Sequence, residues 1–126
     1  MTRERAVRKI EQAINEQLME LNLSRLNLEE LPPEIVRCTY LTKLDLGNNE
    51  ITFIPEDLGQ LSNLTWLDLN SNEITSIPDA LGQLSNLTLL DLGNNQITSI
   101  PEALGQLSNL RYLELSKNKI TKIPEA

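Results

Sequence analysis

Acidic side chains recur at a spacing of 23 residues through much of the chain. They are Asp45, Asp68, Asp91 and Glu114. A row of carboxylates has three interpretations: it attracts the Lys or Arg side chains of a polypeptide partner, it is a structural feature supported by neighbouring polar groups, or it binds Ca²⁺. Calcium is the weakest interpretation, because that ion takes about six to eight oxygen ligands and nothing in the sequence encloses it.

A second row precedes the acids by two residues and contains the chain's Trp and one of its Tyr residues. Its members are Glu20, Lys43, Trp66, Leu89 and Tyr112. Trp and Tyr often anchor protein interfaces, so the row predicts a surface for another polypeptide. Isolated exposed apolar residues are normal, but three consecutive members of one row are not isolated. Asn70, which is Gly93 in the next repeat, completes the predicted site.

Catalytic and metal chemistry have little material in this sequence. The 126 residues include no His and one Cys, Cys38. The chain therefore lacks the commonest metal ligand and general base, and neither a Ser-His-Asp triad nor a cysteine zinc site can be built. Cys38 takes a position that is Leu in later repeats, which favours a buried apolar role. No G-x-x-x-x-G-K-[ST] phosphate loop occurs. We predict a non-enzyme with no cofactor and no metal.

The charge distribution indicates which partners fit. A net charge of −7 argues against nucleic acid. No apolar run has the length of a membrane span or a signal peptide, so we expect a cytoplasmic protein without membrane contact. Between Lys43 and Arg111 the chain has nine acidic residues and no basic one, a local charge of −9. The predicted partner is therefore a protein or peptide that is partly basic.

The elements that position these rows follow from an internal repeat. Copies span 18–40, 41–63, 64–86 and 87–109, and a partial copy spans 110–126. Leu-x-Leu in each copy indicates a short strand with one buried face, and identical return segments stack the strands in parallel, about 4.8 Å apart. A Pro then ends the strand direction. The stretch after it suits a 3₁₀ or helical turn, ended by Gly59, Gly82 or Gly105.

The consensus LxxLxLxxNxIxxIPxxLGxLxx resembles the leucine-rich repeat family, in its 23-residue intracellular and bacterial type, over residues 18–126. The resemblance implies an α/β fold: a right-handed solenoid with a concave parallel β-sheet of about five strands and short 3₁₀ or helical turns on the convex side. It also implies an asparagine ladder, which suits the chemistry because an amide both donates to and accepts from buried backbone groups. The ladder residues are Asn49, Asn72, Asn95 and Asn118. Leu26 replaces the asparagine in the first copy, which indicates a terminal role.

Residues 1–17 are predicted to form an amphipathic helix that caps the first coil. Its apolar residues have helical spacing; they include Ala6, Val7, Ile10, Ala13 and Ile14. A helix followed by LNLSRLNLEELPPEI also resembles the start of the leucine-rich domain in bacterial Roco proteins, where a GTPase module lies downstream. One alternative is therefore a regulatory or sensor segment of a larger Roco-type signalling protein. Another is a structural or engineered array without a natural ligand, because GQLSNL recurs almost verbatim.

The partial last copy leaves Leu113 and Leu115 without a following strand. We therefore expect some self-association through the C-terminal end, although the basic residues there, such as Lys117, discourage edge-to-edge strand pairing. Our main hypothesis is a protein–protein interaction module that binds its partner on the acidic, aromatic-bearing concave face.

Overall fold

One helix, five short strands and four 3₁₀ turns follow one another along residues 2–124, which the computed structural model describes. The helix and strands are α1 (Thr2–Glu16), β1 (Glu20–Asn22), β2 (Lys43–Asp45), β3 (Trp66–Asp68), β4 (Leu89–Asp91) and β5 (Tyr112–Glu114). The 3₁₀ turns are turn 1 (Pro33–Arg37), turn 2 (Glu56–Gln60), turn 3 (Asp79–Gln83) and turn 4 (Glu102–Gln106). Strand and turn thus alternate once in each repeat, as the 23-residue period predicts.

The five strands form one parallel sheet in the order of the sequence. Leu21 pairs with Leu44, and Leu44 pairs with Leu67, so the register equals one repeat. The remaining strand pairs keep the same register. Each repeat position therefore forms a continuous row across the sheet, and both rows inferred from the sequence exist as rows in the structure.

The core consists of leucines that alternate along each strand with the outward-facing residues, so their side chains point to the opposite face of the sheet. Leu44, Leu67 and Leu90, the middle residues of three strands, are each 0% exposed. Full burial of one such side chain stabilises a fold by about 1.5–3 kcal/mol. Leu113, its counterpart in β5, is 40% exposed. The aliphatic core explains how the chain folds with only 3% aromatic residues.

The asparagine ladder is present in the structure. Asn72 Nδ2 donates to the carbonyl oxygens of Leu46 (3.0 Å) and Leu69 (3.1 Å), and its Oδ1 accepts from the Ile51 N–H (3.0 Å). Equivalent bonds are made by Asn49, Asn95 and Asn118. Each asparagine thus joins its own coil to the preceding one: it accepts from a backbone N–H and donates to carbonyl oxygens of both coils, and consecutive asparagines share a carbonyl.

The first coil is covered by α1. Ala6, Ile10 and Ala13 are buried, and α1 packs against β1 and turn 1. The chain leaves the helix at Gln17, whose φ of 54° is left-handed. The N–H of Leu26, the residue that replaces the ladder asparagine, bonds to Asn49 Oδ1 (3.0 Å). Within residues 2–124, no helix has the length and apolar character needed to cross a membrane.

The prediction that glycines end the 3₁₀ turns is wrong. Each of turns 2 to 4 extends one residue past its glycine, to a Gln, and no glycine among residues 2–124 has a positive φ. Close approach explains the glycines of turns 2 and 3 instead. A Cβ on Gly82 would lie 2.5 Å from the carbonyl oxygen of Ala103, and a Cβ on Gly59 would lie 2.5 Å from that of Ala80. These two glycines allow consecutive turns to stack.

Candidate functional site

The outward-facing side chains of β2 to β5, together with Asn70 just after β3, form the surface predicted from the sequence, called the concave face below. Its residues are Lys43, Asp45, Trp66, Asp68, Asn70, Leu89, Asp91, Tyr112 and Glu114. Trp66 pairs in register with Lys43 on one side and with Leu89 on the other, and Leu89 pairs with Tyr112. Sheet register therefore brings the apolar row together.

Exposure within this row is less even than the sequence predicted. Tyr112 is 51% exposed, whereas Trp66 and Leu89 are half-buried. The difference arises because β3 and β4 have a neighbouring strand on each side, and β5 has one neighbour within the sheet. The apolar row is thus partly sheltered at its centre and open at Tyr112.

The carboxylates that flank the apolar row are tied to the backbone. Asp45 Oδ1 accepts from the N–H of Gly47 (2.9 Å), and Asp68 Oδ1 accepts from that of Asn70 (2.8 Å). Asp91 makes the same bond one repeat later. One oxygen of each acid therefore has a structural role, because a neighbouring backbone N–H donates to it. The second oxygen, Oδ2, accepts no hydrogen bond from any residue between 2 and 124, so it can accept one from a ligand.

The ionised form of the carboxylate row is least favoured at its centre, Asp68, chiefly because of burial. Burial raises the pKa of Asp68 above its ordinary value, and the neighbouring charges of Asp45 and Asp91 raise it further, while the N–H of Asn70 opposes them. A folded environment that raises the pKa of an acid disfavours its ionised form. A cation placed over Asp68 would relieve this cost, which is the electrostatic reason to expect Lys or Arg in a ligand.

Two polar contacts connect the rows across strands and along β5. Asn70 Nδ2 donates to Asp91 Oδ1 (3.2 Å), which links two neighbouring coils. The Tyr112 hydroxyl donates to Glu114 Oε2 (3.3 Å). The Glu114 charge raises the pKa of Tyr112, and the Ser116 N–H is the main cause of the lowered pKa of Glu114. Glu114 is thus ionised and Tyr112 is neutral at pH 7, so Tyr112 presents an uncharged ring beside a carboxylate.

A depression of about 420 Å³ lies at the β1 end of the concave face. It is lined by Glu20, Leu21, Asn22, Lys43, Asp45 and Trp66. Lys43, Asp45 and Trp66 belong to the predicted binding site, whereas Glu20, although it begins the row of Trp66, and Asn22 were not assigned to that site. Their positions in the first repeat, in the same two rows, are the signal that could have identified them. The depression provides a polar recess beside the edge of the apolar row.

A second groove, not predicted from the sequence, runs along the flank of the sheet. It has a volume of about 550 Å³ and is lined by Met19, Tyr40, Thr42, Asn63, Thr65, Asn86, Thr88, Asn109 and Arg111. Its polar side chains are engaged with the backbone of the preceding coil: Thr65 Oγ1 donates to the carbonyl oxygen of Thr42 (3.1 Å), and Asn63 Nδ2 donates to that of Thr39 (2.9 Å). This groove, called the flank groove below, is therefore chiefly the junction between stacked coils.

Cys38 has the environment of a core residue. It is 3% exposed, and its thiol points to the carbonyl oxygen of Ile10 (3.8 Å). Burial raises the pKa of the thiol, with Arg37 opposing. A buried thiol with a raised pKa is a poor nucleophile, because the thiolate is the reactive form. Among residues 2–124, no group of three or more His, Cys, Asp or Glu side chains is arranged to hold a metal ion.

The chain is built of stacked coils that each contribute one strand to a single parallel sheet. This arrangement is typical of the solenoid class of repeat proteins. The profile of the family described as "Leucine rich repeat" matches residues 16–74 and 62–120. The chain belongs to the leucine-rich repeat family. No curated protein matches it significantly.

Solved structures of the same fold include bacterial and plant proteins. A leucine-rich repeat protein of Leptospira interrogans is 35% identical with a TM-score of 0.71, over 90% of this chain and 36% of that one. The ectodomain of the plant membrane receptor kinase GASSHO1/SCHENGEN3 from Arabidopsis thaliana, solved with CASPARIAN STRIP INTEGRITY FACTOR 2, is 32% identical with a TM-score of 0.72, over 90% of this chain and 16% of that one. The plant peptide hormone receptor RGFR1, solved with RGF2, is 34% identical with a TM-score of 0.67, over 72% and 15%. The chain thus spans about a third or less of the length of these proteins.

Proposed function

We propose that this chain is a non-catalytic protein–protein interaction module that binds a partly basic polypeptide on its concave face. One observation carries the proposal: the parallel register forms an apolar row of Trp66, Leu89 and Tyr112 and a row of carboxylates. The two rows lie side by side on one face because their residues are two apart on each strand. An extended ligand that crosses the strands would meet apolar anchors on one side and acids on the other. Aromatic anchors surrounded by polar groups are typical of the centre of protein interfaces.

Charge complementarity supports a basic ligand. The stretch between Lys43 and Arg111 carries −9. The pKa of Asp68 is raised by burial and, to a smaller extent, by the charges of Asp45 and Asp91, which a cation would offset. Complementary charge raises association rates and favours the correct partner. The similarity to receptors solved with RGF2 and with CASPARIAN STRIP INTEGRITY FACTOR 2 supports a peptide or protein ligand.

We also propose a division of the chain into two parts: residues 1–17 form the N-terminal cap, and residues 18–126 form the repeat domain. The proposed location is the cytoplasm, with no binding to nucleic acid or membranes.

The proposal predicts that two aromatic side chains dominate binding. A peptide selected from a random display library on the wild type, at 0.15 M salt, is the probe, and isothermal titration calorimetry measures its affinity. Trp66→Ala combined with Tyr112→Ala should weaken binding at least about 30-fold, since truncation of an interface anchor costs about 2 kcal/mol or more.

Tyr40→Ala is the matched control for this experiment. Tyr40 is 51% exposed, as is Tyr112, but it lies in the flank groove. Its removal should change the affinity by less than about twofold. Equal affinities of the double variant and the wild type would refute the concave face as the binding site.

Self-association through the C-terminal end is a further part of the proposal. What supports it is the exposure of Leu113 (40%) and Ile123 (76%). The equivalents of Leu113 in the inner coils are buried, and those of Ile123 are buried or, at Ile100, partly buried. Sedimentation equilibrium at high protein concentration should show dimers, and a mass that stays monomeric would contradict the idea.

The alternative is a regulatory segment of a larger Roco-type GTPase. What supports it is the order of the elements, in which α1 leads directly into the irregular first repeat. The genomic sequence after Ala126 would distinguish the two, because a phosphate loop there would favour the alternative.

A further inference from the structure

The first repeat departs from the others at the residue that controls stacking of the 3₁₀ turns. Val36 takes the repeat position of Gly59, Gly82 and Gly105. At Gly59, a Cβ would meet the carbonyl oxygen of Ala80 at 2.5 Å. The equivalent pair one repeat earlier is Val36 and Asp57. Since Val36 has a Cβ, turn 1 cannot approach turn 2 as closely as turn 2 approaches turn 3, and turns 1 and 2 do contact each other less extensively.

The wider separation leaves a cavity of about 210 Å³ between these two turns. We call it the flank socket; it is lined by Leu31, Pro33, Ile35, Val36, Phe53 and Pro55, with Glu30 and Asp57 at its sides. Phe53 is 50% exposed and is the only Phe of the chain. The same repeat position is Ser76 and Ser99 in the following coils. Phe53 and the apolar residues of turn 1 thus lie together where, among turns 1 to 4, the contact between neighbouring turns is least extensive.

We propose that the flank socket binds one large apolar side chain, such as Leu or Phe, of a partner polypeptide that carries Lys or Arg next to it. The size and the lining select the apolar side chain, because apolar cavities of this kind gain from filling with apolar groups. The neighbouring charge follows from Glu30 and Asp57, which are the charged residues that line the socket within residues 2–124. None of the lining residues belongs to the concave face, so the inference is independent of the proposed function.

Three capped pentapeptides test the proposal: Gly-Lys-Leu-Lys-Gly, Gly-Glu-Leu-Glu-Gly and Gly-Lys-Ser-Lys-Gly, each titrated into the ¹⁵N-labelled chain and followed by NMR. The Lys-Leu-Lys peptide should shift the amide resonances of Val36, Phe53 and Asp57. The other two should bind at least about fivefold more weakly, because each lacks one of the two recognised features. Equal responses to all three peptides, or shifts confined to the concave face, would overturn the proposal.

Two variants make the result specific to the flank socket. Phe53→Ser introduces the residue that the next coils carry at this exposed position, so folding is preserved, and it should weaken the Lys-Leu-Lys peptide at least about fivefold. Trp66→Ala alters the concave face alone and should leave the peptide-induced shifts of Val36, Phe53 and Asp57 unchanged. Undiminished binding to Phe53→Ser would refute the socket. Loss of binding in Trp66→Ala alone would place the peptide on the concave face.

Discussion

Replacing Gly82 by alanine is expected to destabilise the protein by about 2–3 kcal/mol, at the upper end of the usual cost of overpacking. The new Cβ would lie 2.5 Å from the carbonyl oxygen of Ala103 and 3.2 Å from its Cβ. Because the obstacle is backbone, no side-chain rotation can relieve it, and turns 3 and 4 must move apart. Urea denaturation followed by circular dichroism measures the loss as a lower midpoint.

Gly105→Ala is the matched control for this prediction. Gly105 has the same repeat position and neighbouring sequence, but a Cβ there would meet no atom within 4 Å. Since alanine restricts the unfolded chain more than glycine does, this variant should be neutral or more stable by about 0.4–1 kcal/mol. Similar destabilisation by both substitutions would show that the repeat position needs glycine for backbone reasons, and the stacking explanation would be wrong.

Asn72→Ala is expected to have the larger effect, a loss of about 3–5 kcal/mol, because the cost of an unpaired buried polar group is about 1–3 kcal/mol. The substitution leaves the Ile51 N–H without a partner. It also removes one of the two donors to each of the carbonyl oxygens of Leu46 and Leu69, which keep Asn49 and Asn95 respectively, at about 0.5–1.5 kcal/mol per lost bond. Asn72 is 7% exposed, so water reaches these groups poorly. Denaturation in urea measures the loss, and hydrogen exchange at the Ile51 amide should accelerate with it.

Asn118→Ala supplies the comparison. Asn118 makes corresponding bonds with the Ile97 N–H and with the carbonyl oxygens of Leu92 and Leu115, but it is only half-buried. Water can replace part of the hydrogen bonding that Asn118 provides, so the loss of unfolding free energy should be about half that of Asn72→Ala or less. If Asn118→Ala destabilised the protein as much as Asn72→Ala, burial would not determine how much each ladder asparagine contributes to stability.

The sequence was sufficient to predict features that depend on period alone. Strand positions, the parallel register and the asparagine ladder follow from residues that recur every 23 positions. The helix that covers the first coil follows from apolar residues at helical spacing. The 23-residue period also placed Trp66 beside Leu89 on one face. These predictions succeeded because each coil contacts only its neighbours, so local pattern determines long-range contact.

Features that depend on distances between coils were not predicted. The role of Gly82 lies in a contact with Ala103, one coil away, which the sequence of a single turn does not reveal. The half-burial of Trp66 depends on strands to either side. The flank socket arises from one substitution, Val36 for glycine, whose consequence becomes apparent only when turns 1 and 2 are stacked. Packing distance, rather than pattern, is what the structure adds.

The most direct test of the concave face compares two charge-matched variants for affinity to the selected peptide. One combines Asp45→Asn, Asp68→Asn and Asp91→Asn, and each Asn retains an oxygen to accept the backbone N–H that follows it. The other combines Glu56→Gln, Asp79→Asn and Glu102→Gln, which are exposed on the 3₁₀ turns.

Both variants lose three negative charges, so non-specific attraction falls equally. The concave-face variant should bind at least about tenfold more weakly, and the turn variant should differ from wild type by less than about threefold. An equal loss in both, or a larger loss in the turn variant, would contradict binding at the concave face.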